Sequence, residues 1–501
     1  MNRTMIMASL MVATFLAAIE GTIVSTAMPK IAGDLQGFHM MSWVFTAYLL
    51  VSSVSVPIYG KLSDIWGRKA IFLTGIALFL IGSTLCGFAQ TMEQLIWFRV
   101  IQGLGAGAIL PVTNTIIADL YPYEQRAKIL GYIGAVWGTA GIAGPLVGGF
   151  MVDQISWHWI FFMNIPFGVV AMILVAIYLK EEKRTNKQPL DFAGAITFTI
   201  AVTALLYGVH VGSETGEWLS VSVLALFAVF IVFIIAFIRI EATVKDPIMP
   251  LQLFRNRAVA VTNVLSFIIH VLLIGIVVYV PLWMQGVAGS NATLSGLALA
   301  PMSITWTFGA FLCGKLMINR GMRTSSIIGG LFLFLSAIAL LFMQIDSNHW
   351  WLYVITAFIG IGFGISVTLH TVVVQSAISP DMIGTSVGTN VLFRNIGQTI
   401  GVSLIGSYFN VQTAQTIGSH PDNAGDVTPA MLNTMIQPAQ DSVSLSELVI
   451  SVLRDSLASS IHVIFLILVV VAFSMVALSW GLPSRKQKSF EQEASTSSTS
   501  A

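Results

Sequence analysis

Long apolar runs separated by short polar stretches organise nearly the whole chain. A helix that crosses a bilayer needs about 20 apolar residues. Fourteen runs of that order can be read, near 5–29, 40–60, 71–90, 94–118, 128–152, 157–179, 191–212, 218–238, 258–281, 294–317, 325–343, 350–377, 384–409 and 459–482. They predict an all-α polytopic membrane protein. One polar stretch is long, 410–458. Within it Val443, Leu445, Leu448, Val449, Val452, Leu453 and Leu457 recur at helical spacing. That pattern predicts a short amphipathic helix on the membrane surface or over the outer opening. Residues 484–501 are polar and rich in Ser and Thr, and read as a disordered tail.

Composition agrees with the pattern. The chain has 501 residues, 56% hydrophobic and 9% charged, against about 25% charged in a soluble globular protein. A net charge of +1 gives no reason to expect a nucleic-acid partner. The two cysteines, Cys86 and Cys313, lie in apolar runs and read as packing residues, with no disulfide framework or metal site implied. Met1-Asn2-Arg3 leads straight into the first run, which reads as a retained helix and not a cleaved signal.

Basic residues set the orientation, because cytoplasmic loops collect Lys and Arg. With the N-terminus inside, the inner side holds Arg3, Lys61, Arg68, Lys69, Arg126, Lys128, Lys180, Lys183, Arg184, Lys187, Arg239, Lys245, Arg255, Arg257, Lys315, Arg320, Arg323, Arg485, Lys486 and Lys488, twenty of the 24 Lys and Arg. Both termini are therefore expected in the cytoplasm. The chain also repeats itself. Gly60-Lys61-Leu62 with Gly67 and Lys69 matches Gly314-Lys315-Leu316 with Gly321 and Arg323. Gly103, Gly105 and Gly107 match Gly360, Gly362 and Gly364, and Pro122 matches Pro380. The expected division is a six-helix bundle over 1–180, two inserted spans over 181–250, a second six-helix bundle over 251–483 and the tail. Two similar bundles that rock about a midplane site are a transporter architecture.

Glu20 is the residue with the strongest functional claim. It lies about 22 Å along the first helix from Met5 and about 13 Å short of Pro29, inside the hydrocarbon. No other acidic side chain lies so deep in an apolar run. Intramembrane carboxylates are costly and usually handle protons or cations. Arg99, in the fourth run, stays charged in essentially any site and must find acceptors. It reads as a functional intramembrane charge, or as a structural cation on backbone carbonyls. Gly60, Asp64, Gly67, Arg68 and Lys69 form a dense turn motif between the second and third runs, read as a conformational lock. Asp119 is the expected partner of Arg68. Gly138, Gly141, Gly144, Gly148 and Gly149 line one side of the fifth run, where small residues let helices approach, and Pro145 invites a bend. His270 and His370 are intramembrane histidines, read first as satisfied polar groups and second as proton relays. Arg394 reads first as structural. Tyr48, Trp137, Trp306, His270, His370 and Arg394 are the candidate pocket residues.

The turn motif resembles the signature loop of the major facilitator superfamily. Arg99-Val100-Ile101-Gln102-Gly103 with Gly105 and Gly107 resembles its fourth-helix motif. Gly141-Ile142-Ala143-Gly144-Pro145 with Gly148-Gly149 resembles the fifth-helix motif of its antiporters. Ala18-Ile19-Glu20-Gly21-Thr22-Ile23-Val24 with Ala27 and Pro29 is similar to the first helix of the fourteen-helix drug:proton antiporters. So are Ser156 to Gly168, Asp191-Phe192-Ala193-Gly194, Pro281 with Gln285-Gly286, and Arg394-Asn395-Ile396-Gly397. The resemblance implies two six-helix bundles plus two inserted helices. It implies export of lipophilic, often cationic drugs in exchange for protons, with the proton gradient as energy source and no cofactor. It links Arg99 to proton coupling. It further implies a bacterial plasma-membrane protein working as a monomer in the lipid bilayer. Two positions depart from the pattern: Glu20 stands where Asp is common, and His158 where Arg is usual.

Other classes fit less well. No GxxxxGK[ST] run occurs, which removes ATP hydrolysis of that type as the energy source. No HExxH motif, Cys/His cluster or nucleophile constellation points to an enzyme. The two-fold repeat and the lack of a filter-like ring disfavour a channel. Proton-coupled uptake or facilitated passage on the same fold is the alternative, and a non-transporting receptor is the alternative of another class.

Overall fold

A computed structural model describes residues 2–36, 40–181, 191–290, 292–419, 427, 431–432 and 446–484. The described residues form helices and connecting turns. The long helices are α1 (Arg3–Asp34), α2 (Met41–Trp66), α3 (Arg68–Gly87), α4 (Met92–Leu120), α5 (Tyr123–Gln154), α6 (Asn164–Tyr178), α7 (Phe192–Thr215), α8 (Val221–Thr243), α9 (Arg257–Leu282), α10 (Ala300–Leu341), α11 (His349–Ser376), α12 (Ile383–Ser419) and α13 (Glu447–Ser479). Polar side chains start many of them. The oxygens of Thr91, Asp191, Ser220, Asn256, Asn348 and Ser446 accept backbone N–H bonds in the first turns of α4, α7, α8, α9, α11 and α13. Those amides have no partner within the helix itself, so the caps fix where each begins.

Among the described residues, 12 helices are long and apolar enough to cross a membrane. One of them is α10, whose 42 residues contain Gly321 at φ 80, a break between two helical segments. Gly67, which the sequence repeat pairs with Gly321, separates α2 from α3 at φ 95. Both positions need a left-handed backbone that glycine adopts without steric cost. α12 covers the apolar run 384–409 but is not among the 12, and it is rich in Ser, Thr, Asn and Gly.

The surface helix expected within 443–457 is corrected. Leu448, Val449, Val452, Leu453 and Leu457 belong to the first turns of α13, which runs unbroken from Glu447 to Ser479. Neither Gly nor Pro interrupts that sequence, so nothing stops the helix at the membrane boundary. Val443, Leu445 and the tail 485–501 lie outside the described residues.

α1 packs on α5 and α6, α3 on α4, and α4 on α2. α10 packs on α11 and α13, and α9 on α12 and α13. Two seams join the first six helices to the last: α2 against α12 and α5 against α10. Glycine makes both close. A Cβ added at Gly60 would lie 2.6 Å from the Gly384 carbonyl oxygen, and one at Gly138 would lie 2.8 Å from Ser303 Cβ. Hydrogen bonds across the two sets gather at the end that carries the Gly67 turn. Gln375 Nε2 donates to the Asn114 carbonyl at 2.9 Å, and Arg126 Nη1 to Ser376 Oγ at 3.2 Å. An apolar cluster including Val56, Ala118, Val259, Val374, Ile383 and Val387 fills the space between them. The inserted pair α7 and α8 packs on α2 and α12 through Phe198, Val202 and Leu206 of α7.

These close approaches leave no room for a side chain at Gly60. Gly60→Val is expected to force α2 and α12 apart. Overpacking of this kind costs about 1–3 kcal/mol, which corresponds to amide exchange over 383–391 faster by roughly tenfold or more. Hydrogen–deuterium exchange of the purified protein measures it.

Candidate functional site

Glu20 and Arg99 are in direct contact. Arg99 Nη1 donates to Glu20 Oε1, and neither side chain has more than 1% of its surface exposed. The pair sits in a polar network built from five helices. Asn164 Nδ2 donates to Glu20 Oε2 and to Ser83 Oγ, each at 2.9 Å, and Ser83 Oγ donates to the Phe161 carbonyl at 2.9 Å. Arg99 Nη1 also reaches Gln102 Oε1 at 2.8 Å, and Arg99 Nε reaches the Val44 carbonyl at 3.4 Å. The guanidinium carbon stands 4.0 Å from the centroid of the Tyr48 ring. Tyr48 therefore serves as a cation–π platform for Arg99.

A bonded, charge-balanced pair is how two ions survive in a low-dielectric core. The partners of Glu20 lie on α4 and α6, inside the first six helices. The pair is thus held within the first set of helices and not between the two sets. Asn164, Ser83 and Gln102 are functional neighbours that sequence reasoning missed. Asn164 carried a signal, as the lone polar side chain within Trp159–Phe167.

The turn motif makes a second polar site. Asp64 accepts from the backbone amides of Gly384 and Thr385 at 3.0 and 2.7 Å and from Thr385 Oγ1 at 2.9 Å, bridging α2 to the start of α12. Arg68 Nη2 lies 2.9 Å from Asp64 Oδ1, Arg68 Nε 3.0 Å from Asp119 Oδ2, and Arg68 Nη1 donates to the Ser63 carbonyl at 2.7 Å. The expected Arg68–Asp119 contact is present. Lys69 Nζ donates to the Ala176 carbonyl at 2.6 Å. Glu181, which no motif signalled, receives the Arg68 and Lys69 backbone amides at 2.8 and 3.0 Å.

The glycines of α5 do not share one side. Gly131, Gly134 and Gly138 face Phe311, Trp306 and Ser303 of α10, whereas Gly144 and Gly148 face Thr22 and Ile23 of α1. A Cβ at Gly141 or Gly149 would meet nothing within 4 Å. Pro145 continues α5, and no side-chain contact is described for it.

The candidate pocket residues are dispersed. Trp306 stacks on Phe363 with centroids 5.4 Å apart, in the α5–α10 seam. Trp137 is 44% exposed. His270, His370 and Arg394 lie together on α9, α11 and α12. His270 Nδ1 bonds the Ser266 carbonyl at 2.8 Å. His370 is fully buried with neither ring nitrogen bonded, which corrects the reading of it as a satisfied polar group. Two cavities, of about 770 and 600 Å³, are lined by other residues, among them Lys61, Glu241 and Lys245 in one and Phe332, Trp351 and Phe358 in the other. His158 stacks on Trp157 at 3.7 Å, and burial lowers its pKa against the opposing pull of Asp34. Cys86 and Cys313 are buried free thiols, and among the described residues no group of His, Cys, Asp and Glu could hold a metal ion.

Residues 10–402 match the model of the Major Facilitator Superfamily. The chain is 34% identical over 486 residues to the multidrug transporter protein MdtP of Bacillus subtilis, covering 93% of this chain and 90% of that one. It is 36% identical over 464 residues to multidrug resistance protein 3 of the same organism, covering 91% of each. The fold is similar to that of the human organic anion transporter MFSD10, with a TM-score of 0.64 at 12% identity, over 94% of this chain and 100% of that one.

Removing one member of a buried ion pair strands the other. Arg99→Met is expected to lower stability by about 3–5 kcal/mol, and the double variant Glu20→Gln/Arg99→Met to recover part of that loss. Thermal unfolding of purified protein measures both. At the second site, Asp119→Asn is expected to weaken the hold on Arg68 and raise the accessibility of the Gly67 end, read by labelling a cysteine placed at Ser376.

Proposed function

Because the chain belongs to the Major Facilitator Superfamily, we propose that it exports lipophilic, often cationic compounds in exchange for protons, with Glu20 as the exchange site. The protein is a multi-pass membrane transporter of small molecules and not an enzyme, and its relatives include multidrug efflux pumps. The proton step is carried by one observation, the buried Glu20–Arg99 pair inside a span.

The network suits a carboxylate that changes charge. With Glu20 ionised, the pair is neutral overall. With Glu20 protonated, Arg99 keeps Gln102, the Val44 carbonyl and the Tyr48 ring as partners, which bond its N–H groups and face without supplying a counter-charge. Gln102 Nε2 and Asn164 Oδ1 have no protein partner, which fits a network open to exchange with water. In the proposed cycle Glu20 takes a proton from outside, the bundles reorient, and a cationic substrate favours the ionised carboxylate so that the proton leaves inside. A single deep carboxylate points to about one proton per cycle. Exchange for a monocation is then electroneutral, and exchange for a neutral compound moves charge.

The remaining geometry supports alternating access between fourteen spans. Gly321 divides α10 into two segments, α12 adds a further long helix, and the basic residues put both termini in the cytoplasm. On that orientation the Asp64–Thr385 bridge and the Gln375–Asn114 bond seal the cytoplasmic end, which supports an outward-facing state. The helices that pack together support the division at 1–180, 181–250 and 251–483. We place the protein in a bacterial plasma membrane, acting as a monomer.

Glu20→Gln keeps the shape of the side chain and removes its titration. It is expected to abolish pH-driven export of a quaternary-ammonium dye from proteoliposomes while the protein still inserts. Full export by this variant would overturn the assignment. Accumulation of the dye in the direction of the proton flow would favour uptake instead.

A further inference from the structure

The second set of helices holds its own intramembrane arginine, partly buried. Arg394 lies on α12 beside α9 and α11, which also pack on each other. One turn earlier the Asn390 amide donates to Asn263 Oδ1 and Ser266 Oγ of α9, both at 2.9 Å. His270 is four residues beyond Ser266, and Arg394 four beyond Asn390. Helical spacing brings these two side chains to the next turn of the same seam. From α11, Thr371 Oγ1 and the Val367 carbonyl accept from Arg394 Nη2 at 2.5 and 3.4 Å. His370, next to Thr371, lies within electrostatic reach of both Arg394 and His270.

Among the described residues no carboxylate pairs with Arg394. This is the contrast with Arg99, which has Glu20. Arg394 Nε and both ring nitrogens of His370 are buried without a partner. The Ser266 carbonyl can only accept, so His270 carries its proton on Nδ1, which leaves Nε2 an acceptor and not a donor to an anion. A guanidinium does not give up its charge. A partly buried cation held only by neutral oxygens lacks its counter-charge. The corner therefore has the chemistry of an anion site: a fixed charge with unused donor capacity, beside two imidazoles, in an apolar surround that includes Phe267 and Val271 of α9 against Gly397 and Gly401.

We propose that Arg394, with the N–H of His370, binds the carboxylate or sulfonate of an amphipathic organic anion or zwitterion, which extends the substrate range beyond cations. The inference rests on the transporter reading for its physiological meaning, but its test does not. Purified full-length protein in lipid nanodiscs, in a low-salt Tris chloride buffer free of carboxylates and sulfonates, is titrated calorimetrically with naphthalene-2-carboxylate and with the neutral naphthalene-2-carboxamide, empty nanodiscs serving as the blank. A charge-assisted contact predicts that wild type binds the carboxylate at least about tenfold tighter than the amide. Arg394→Gln removes that preference. His370→Phe removes an N–H donor, weakens the carboxylate and leaves the amide unchanged, and it serves if Arg394→Gln does not fold. Equal affinities in wild type overturn the proposal without any variant, as does a preference that survives Arg394→Gln. Binding is read at equilibrium with no gradient. A wild-type protein that fails to export a cationic dye would overturn the exchange mechanism and leave this result readable.

Discussion

One buried ion pair constrains the rest of the first bundle. A carboxylate and a guanidinium with almost no exposed surface must be neutralised where they stand, and that requirement dictates their surroundings. Gln102 sits one turn along α4 to share Arg99, and Tyr48 offers its ring from α2. Asn164 comes from α6 to fix the far oxygen of Glu20. The glycines of α4 serve the same end. Gly103 lets the Tyr48 backbone approach so closely that a Cβ there would lie 2.7 Å from its carbonyl oxygen.

The charged turn at the other end works by a different principle. Asp64 uses backbone amides at the start of α12 as donors, where helix geometry leaves N–H groups unpaired. Arg68 then holds Asp64 from behind and Asp119 from the side. The bond crosses from the first set of helices to the last, so it depends on how the two sets are disposed. A proton at Glu20 changes charge inside one bundle, whereas the Asp64 bridge reports the relation between bundles. Three helices connect the two sites: α2 carries Tyr48 and Asp64, α3 carries Ser83 and Arg68, and α4 carries Arg99 and Asp119.

Much of this was legible in the sequence, for identifiable reasons. Glu20 and Arg99 stood out because ions are rare in apolar runs. Gly67 and Gly321 stood out because the repeat aligned them, and both adopt positive φ. Asp119 was found because acids near a helix end are few. Glu181 and Thr385 were not found, since their contacts join segments far apart in sequence and use the backbone amides of Arg68 and Lys69 or a common hydroxyl. The end of α13 was misread because apolar spacing alone does not show where a helix stops, although the absence of Gly and Pro after Glu447 was available as a signal. The glycines of α5 looked like one stripe because spacing does not reveal which neighbour each one faces.

Proton release on substrate binding tests the central claim most directly. Purified protein in weakly buffered detergent, at a pH where the free protein holds its exchangeable proton, is mixed with a lipophilic monocation while a pH indicator is followed. If Glu20 is the exchange site, wild type releases protons as the cation binds and Glu20→Gln releases none while still binding it. Release that persists unchanged in Glu20→Gln, or binding by wild type with no release at any pH, would contradict it.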